Sequence, residues 1–234
     1  METFVDKFNI FDLFTMLIPG IIISTLSAVS LSFVFYDKWK SCGNEKYAVF
    51  FIVSYLYGLI LQQIGTIIDQ KIAYYFLYGG NPKRIFLFED KYQKVFDNKF
   101  AYDDAVTIKK YVIKHLHINT KNIKNTEQKE QLNSHIFSYC LSVVEKNGLS
   151  YKADKMFVIS EMSRSLSLGC MLVIILNLFI CLFNRFDCFV YNFYLIEIPI
   201  LLILSKIFLN RKIQYEQYRF RIVLKMFLIY IKDK

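Results

Sequence analysis

Four long apolar runs constrain this chain more than any other feature in it. The first, Leu13 to Tyr36, reads "LFTMLIPGIIISTLSAVSLSFVFY" and carries no charge across 24 residues. The second, Tyr47 to Ile68, has only Gln62 and Gln63 as strongly polar side chains. The third, Ser165 to Asn184, sits between Arg164 and Arg185, and the fourth, Phe189 to Ser205, follows after a few residues. At about 1.5 Å of rise per residue, each helix approaches the roughly 30 Å of a bilayer's hydrocarbon. The whole chain of 234 residues is 55% hydrophobic, with a mean hydropathy of +0.32, far more apolar than a soluble domain of this length requires. The flank "METFVDKFNIFD" is acidic, and the first run outlasts a signal-peptide core, so it is expected to be retained as a span. The fold class is therefore an all-α integral membrane protein with four transmembrane helices, at about 13–36, 47–68, 165–184 and 189–205.

Lys and Arg orient these spans. Four spans put residues 1–12, the segment 70–164 and the C-terminal tail on one side, and leave two short loops on the other. Those loops hold Lys38, Lys40, Lys46 and Arg185, so 25 of the 29 basic residues lie on the first side. The excess predicts that both termini are cytoplasmic in a bacterial inner membrane. The organisation expected is an N-terminal hairpin (1–69), a cytosolic domain (70–164), a C-terminal hairpin (165–208) and a basic tail (209–234).

The cytosolic insert reads as helical. Asn125 followed by Gln128 is a capping pattern, opening a helix that ends near Gly148. Its apolar stripe is Leu132, Ile136, Tyr139, Cys140, Val143 and Val144. An earlier helix starts at Asp103 and Asp104, whose carboxylates suit a helix N-terminus, and turns Ala105, Ile108, Val112 and Leu116 inward. Tyr78 to Pro82 breaks the chain, and "HINTKNIKN" (117–125) is a polar loop. No stretch alternates with period two for long enough to require a sheet.

Chemistry is scarce. There is no glycine-rich phosphate loop, no G-x-S-x-G and no paired Cys-x-x-Cys. His115 and His117, two apart on a helix, point to different faces, so neither a metal site nor a cofactor is expected. Arg164 has no His four to six residues later, which removes the Arg-His pair of helical RNA-cleaving domains. Cys140 lies on an apolar stripe and reads as packing. The chain reads as a non-enzyme, and no direct nucleic-acid partner is expected.

The polar groups within the spans are more informative. Glu197 lies about ten residues from the predicted cytoplasmic boundary, roughly 15 Å deep, two residues before Pro199. Asn177 reaches nearly the same depth on the adjoining antiparallel helix. Two readings stay open. Glu197 is a protonated group bonded to Asn177 or to a carbonyl freed by Pro199, or it faces a water-filled seam and attracts cations. On the second span Gly58, Gln62, Gly65 and Asp69 share one face, so Gln62 and Asp69 join Glu197 and Asn177 as candidates for a polar seam. Gly20, Ser24 and Ala28 form a ridge of small residues on the first span. With Gly58 and Gly65 they are candidates for close helix packing.

In "IQYEQYRFRIVLKMFLIYIKDK" (213–234), Tyr215, Tyr218, Ile222, Met226 and Ile229 follow one face, and Gln214, Gln217, Arg221 and Lys225 another. This basic amphipathic helix either lies on the membrane, with Arg211, Lys212, Arg219, Arg221 and Lys225 toward anionic lipid or a partner, or packs against the insert. Cys42 and Cys188 fall one in each external loop. A disulfide between them and two free thiols both remain open, free thiols being favoured since nothing fixes their separation.

The segments "FDLFTMLIPG" (11–20), "YLYGLILQQIGTIID" (55–69), "MSRSLSLG" (162–169) and "QYEQYRFR" (214–221) together resemble small multi-pass membrane proteins of bacterial anti-phage defence loci. These include abortive-infection membrane effectors, the Kiwa membrane subunit and the membrane accessories of RNA-targeting CRISPR loci. The resemblance implies no catalytic residue. It implies an oligomeric defence effector that alters membrane permeability on a cytosolic signal, with a cytosolic protein partner. The alternative is a non-conducting anchor or sensor that recruits such a partner. A small transporter is disfavoured, because the chain shows neither an internal repeat nor paired broken helices.

Overall fold

A computed structural model describes residues 13–40, 45–69, 81–88, 95–96, 100–118, 125–183 and 188–232. Among them there are seven α-helices and no strand. They are α1 (Ile18–Lys40), α2 (Glu45–Ile68), α3 (Pro82–Ile85), α4 (Tyr102–His115), α5 (Thr126–Lys146), α6 (Tyr151–Phe183) and α7 (Cys188–Lys232). A π-helical turn, Leu13–Leu17, leads into α1. Pro19 follows it, with no N–H to donate to the Thr15 carbonyl and a ring that crowds that carbonyl, and the wider turn relieves the clash. Four helical stretches are long and apolar enough to cross a membrane, within Leu13–Leu31, Tyr47–Ile68, Tyr151–Leu182 and Phe193–Lys232.

The chain divides into two compact units. The first holds residues up to Thr66 together with Val158–Ile213. Its core joins Ile23 of α1 and Leu61 of α2 to Leu166, Cys170 and Val173 of α6 and Leu201 of α7. Between α1 and α2 the backbones themselves come into contact. A Cβ on Gly20 would overlap the Ser54 carbonyl, and one on Gly58 would overlap the Met16 carbonyl. Only hydrogen fits at either position, which is the physical content of the small-residue ridge. Ser24 on the same ridge is buried, and Ala28 is half-buried.

The second unit holds Ile67–Phe157 and Gln214–Lys234. In α4, Ala105, Ile108 and Val112 are buried while Leu116, just past its end, is half-buried. The backbone N–H of Asn125 donates to Gln128 Oε1 at 3.5 Å where α5 begins. The buried face of α5 is Asn133, Ile136, Phe137, Cys140 and Val144, so Tyr139 and Val143 of the expected stripe sit at its half-buried edges. The C-terminal part of α7 explains that rotation. Phe220 stacks on Phe137 with ring centroids 4.4 Å apart, and Phe227 meets Tyr111 at 6.1 Å and Tyr139 at 6.0 Å. Of the two placements open for the basic tail, packing against the segment between the second and third spans is the one found. Each buried aromatic side chain there contributes about 1.5–3 kcal/mol.

The expected boundaries at 164/165 and 208/209 are not helix ends. α6 begins at Tyr151 and α7 runs unbroken from Cys188 to Lys232, through Pro199. A charge ends an apolar run without ending a helix, and "SKIFLNRKIQ" contains neither Gly nor Pro to stop one. The units also divide the charge. The second carries 20 of the 29 Lys and Arg and 12 of the 20 Asp and Glu, hence +8 of the chain's +9.

Candidate functional site

Glu197 anchors a polar cluster built from three helices of the first unit. Asn177 of α6 donates from Nδ2 to Glu197 Oε2 at 3.0 Å. Ser30 of α1 approaches the two carboxyl oxygens from Oγ at 3.3 and 3.5 Å. The same hydroxyl lies 3.1 Å from the Leu26 carbonyl, and its single proton serves one acceptor at a time. Tyr194, one turn before Glu197 on α7, donates its hydroxyl to the Ser30 carbonyl at 2.8 Å. Ser30, Asn177 and Tyr194 are all buried, and Asn177 Oδ1 has no hydrogen-bond partner among the described residues. Glu197 itself is half-buried. Its neighbours offer neutral donors, and no cation bridges it among the described residues. Such a group in hydrocarbon holds a proton or meets water.

A second cluster, which sequence reasoning missed, forms around Arg164 of α6. Its Nη1 donates to Glu161 Oε1 at 3.0 Å, one turn earlier, and Nη2 bridges the other carboxylate oxygen. Nη2 also lies 3.3 Å from the Gln62 carbonyl and 3.3 Å from Thr66 Oγ1, both on α2. Both charged side chains are nearly buried, at 7% and 13% exposed. Gly65 makes the room: a Cβ there would stand 2.6 Å from Arg164 Nε. A charge at the end of an apolar run reads as a flank, and only the spacing of Gly58 and Gly65 hinted at something large lying in the groove.

Serines fasten α6 to α7. Ser167 donates to the Ser205 carbonyl at 3.0 Å and Ser205 to the Ser167 carbonyl at 3.1 Å. One heptad away, Ser160 donates to the Lys212 carbonyl at 3.2 Å. The signal was present as matched sevenfold spacings, 160/167 against 205/212, on antiparallel helices.

The remaining candidates are dispersed. Gln62 contributes its carbonyl to Arg164 and not to Glu197, and Asp69 is buried in the second unit. Lys212, grouped above with cations facing lipid or a partner, is instead 1% exposed, because the continuing helix turns it to the same side as Ser205. Arg211 and Lys225 are exposed. Arg219 and Arg221 stack on aromatic rings instead, Arg219 over Phe157 at 4.2 Å and Arg221 over Tyr218 at 5.2 Å. Cys42 and the side chain of Cys188 lie outside the described residues. Cys140 is fully buried, and burial pushes its thiol far above the ordinary range, which leaves no thiolate for chemistry. His115 stacks on Tyr111 with centroids 5.9 Å apart, and no group of three or more metal-ligating side chains occurs among the described residues.

The four apolar helices and the polar contacts buried between them define the class: a multi-pass α-helical membrane protein. Comparison with protein-family models, curated proteins and solved structures finds no match.

Proposed function

We propose that this protein is an oligomeric effector of the bacterial inner membrane that acts in anti-phage defence by changing membrane permeability. Its second unit sits in the cytosol with both termini and receives the signal from a cytosolic protein. The observation that carries the permeability reading is Glu197, a carboxyl that meets only neutral donors among the described residues, in the stretch 189–205 of α7 that holds no other charge. The defence context rests on the resemblance of the four quoted segments. The orientation is supported by the +8 charge of the second unit, in line with the positive-inside tendency. Anionic headgroups are the lipids such a charge attracts.

The orientation has a direct test. Lys146→Cys, at an exposed position of α5, is expected to resist a membrane-impermeant maleimide in intact cells and to react once the cells are opened. Reaction in intact cells reverses the topology.

A non-conducting anchor is the second reading, favoured by the way Asn177 and Ser30 tie the carboxyl into the packing. Two substitutions separate the readings. With Glu197 in a wet seam, Glu197→Gln lowers dye uptake at equal protein level and leaves assembly intact. With Glu197 protonated and structural, Glu197→Gln is nearly silent. In that case Glu197→Leu strands the Asn177 amide and loses about 1–2 kcal/mol on the scale of membrane hydrogen bonds. Unaltered ion flux and dye uptake in the Gln variant remove the conducting role.

A further inference from the structure

Among the described residues, the outward faces of the membrane helices differ in one side chain. On α6 the exposed side chains include Ile175, Leu178 and Leu182, and on α7 as far as Ile203 they include Ile196 and Ile200; all are apolar. On α1 the exposed Thr25 satisfies its own hydroxyl by donating to the Ile21 carbonyl at 2.7 Å. α2 is the exception. Val49, Val53, Leu56 and Ile60, each about half exposed, recur at alternating spacings of four and three, and Gln63 takes the next place in that series. Gln63 is exposed, and no hydrogen bond joins its amide to another described residue. It stands five residues inside the Ile68 end of the helix, about 7.5 Å along the axis, within the apolar layer for a span of this length.

An unpaired amide facing hydrocarbon is costly, and in membranes a polar side chain on an apolar seam commonly joins helices. A carboxamide holds both a donor and an acceptor, so it is complementary to itself across a two-fold axis. A repeat of four and three with one polar place is also how two like helices fix their register. We propose that the outward face of α2 docks a second copy of this chain, with Gln63 of each copy bonded to Gln63 of the other. The inference names the surface behind the oligomer suggested above, and it rests on α2 being a span.

Disulfide trapping in membranes tests it. In the full chain, with Cys140 and Cys170 changed to Ala and the other three cysteines to Ser, Ile60→Cys is expected to form a linked dimer under copper-phenanthroline. Ile203→Cys, on the outward face of α7, should form far less. Adding Gln63→Leu to Ile60→Cys should lower the yield about threefold to tenfold. The same substitution in the otherwise unaltered protein should shift its native mass toward the monomer. Equal yields at Ile60→Cys and Ile203→Cys overturn the surface. An undiminished yield with Gln63→Leu overturns the amide's role and leaves Gln63 reaching for the headgroups. Labelling of Ile60→Cys by an impermeant maleimide in opened membranes overturns the proposal by showing that α2 is not a span. Trapping through Ile60→Cys in a protein that never alters permeability supports the surface and discards only the functional reading.

Discussion

Gly58→Ala is expected to leave little folded protein in the membrane, although alanine is the smallest change available and the better helix former. The added Cβ would overlap the Met16 carbonyl, and a backbone atom has no rotamer by which to withdraw. α1 and α2 must then move apart along their crossing, which also removes Ile23 and Leu61 from the core they share with α6 and α7. Overpacking a core costs about 1–3 kcal/mol when side chains yield, and more is expected where none can. Thermal unfolding in detergent, read by protease resistance, checks this. Ala28→Gly on α1 serves as the control, since it lowers helix propensity by about 1 kcal/mol without a clash. A Gly58→Ala protein that unfolds no earlier than that control would mean that the helices do not cross at this point.

Arg164→Met should be nearly as damaging, for an electrostatic reason. The substitution keeps length and apolar contact but leaves the Glu161 carboxylate, 13% exposed, without the guanidinium that faces it. It also removes the guanidinium contacts to the Gln62 carbonyl and the Thr66 hydroxyl on α2, leaving that carbonyl the Thr66 hydroxyl as a side-chain donor. Removing one member of a buried ion pair costs about 3–5 kcal/mol, whereas replacing both by apolar residues is often close to neutral. The pair Glu161→Leu with Arg164→Met is therefore expected to regain most of the lost thermal stability. Arg164→Lys should fall between, because an ammonium cannot fork to Glu161 and still reach α2. Equal damage in the single and the double variant would show that the ion pair is not what the charge at 164 provides.

Much of the fold could be read from the residues alone, and the failures share a cause. The helix at Tyr102–His115 and the one at Thr126–Lys146 followed from carboxylates, a cap and apolar spacing, all of which are local. Asn177 and Glu197 could be matched by counting depth along two antiparallel helices. Hydropathy, in contrast, marks where a helix meets lipid and not where it ends, so it divided α7 near residue 208 although nothing there breaks a helix. The serines of the α6–α7 seam were invisible for a similar reason. A hydroxyl that bonds a neighbouring carbonyl is nearly neutral in any hydropathy sum, and only the paired sevenfold spacing betrays it. Phe137 was missed on α5 because the ring that covers it, Phe220, comes from a part of the chain more than eighty residues away.

The placement of two thiols turns the protein into its own stability gauge. Cys140 is fully buried in the second unit and Cys170 is 2% exposed in the first, so a small alkylating reagent reaches either only when that unit opens. Mass spectrometry of peptides recovered after timed exposure in detergent reads the two opening equilibria separately, from one sample and with no label introduced. A partner protein or lipid that steadies one unit alone would slow the modification of its own cysteine and leave the other's rate unchanged.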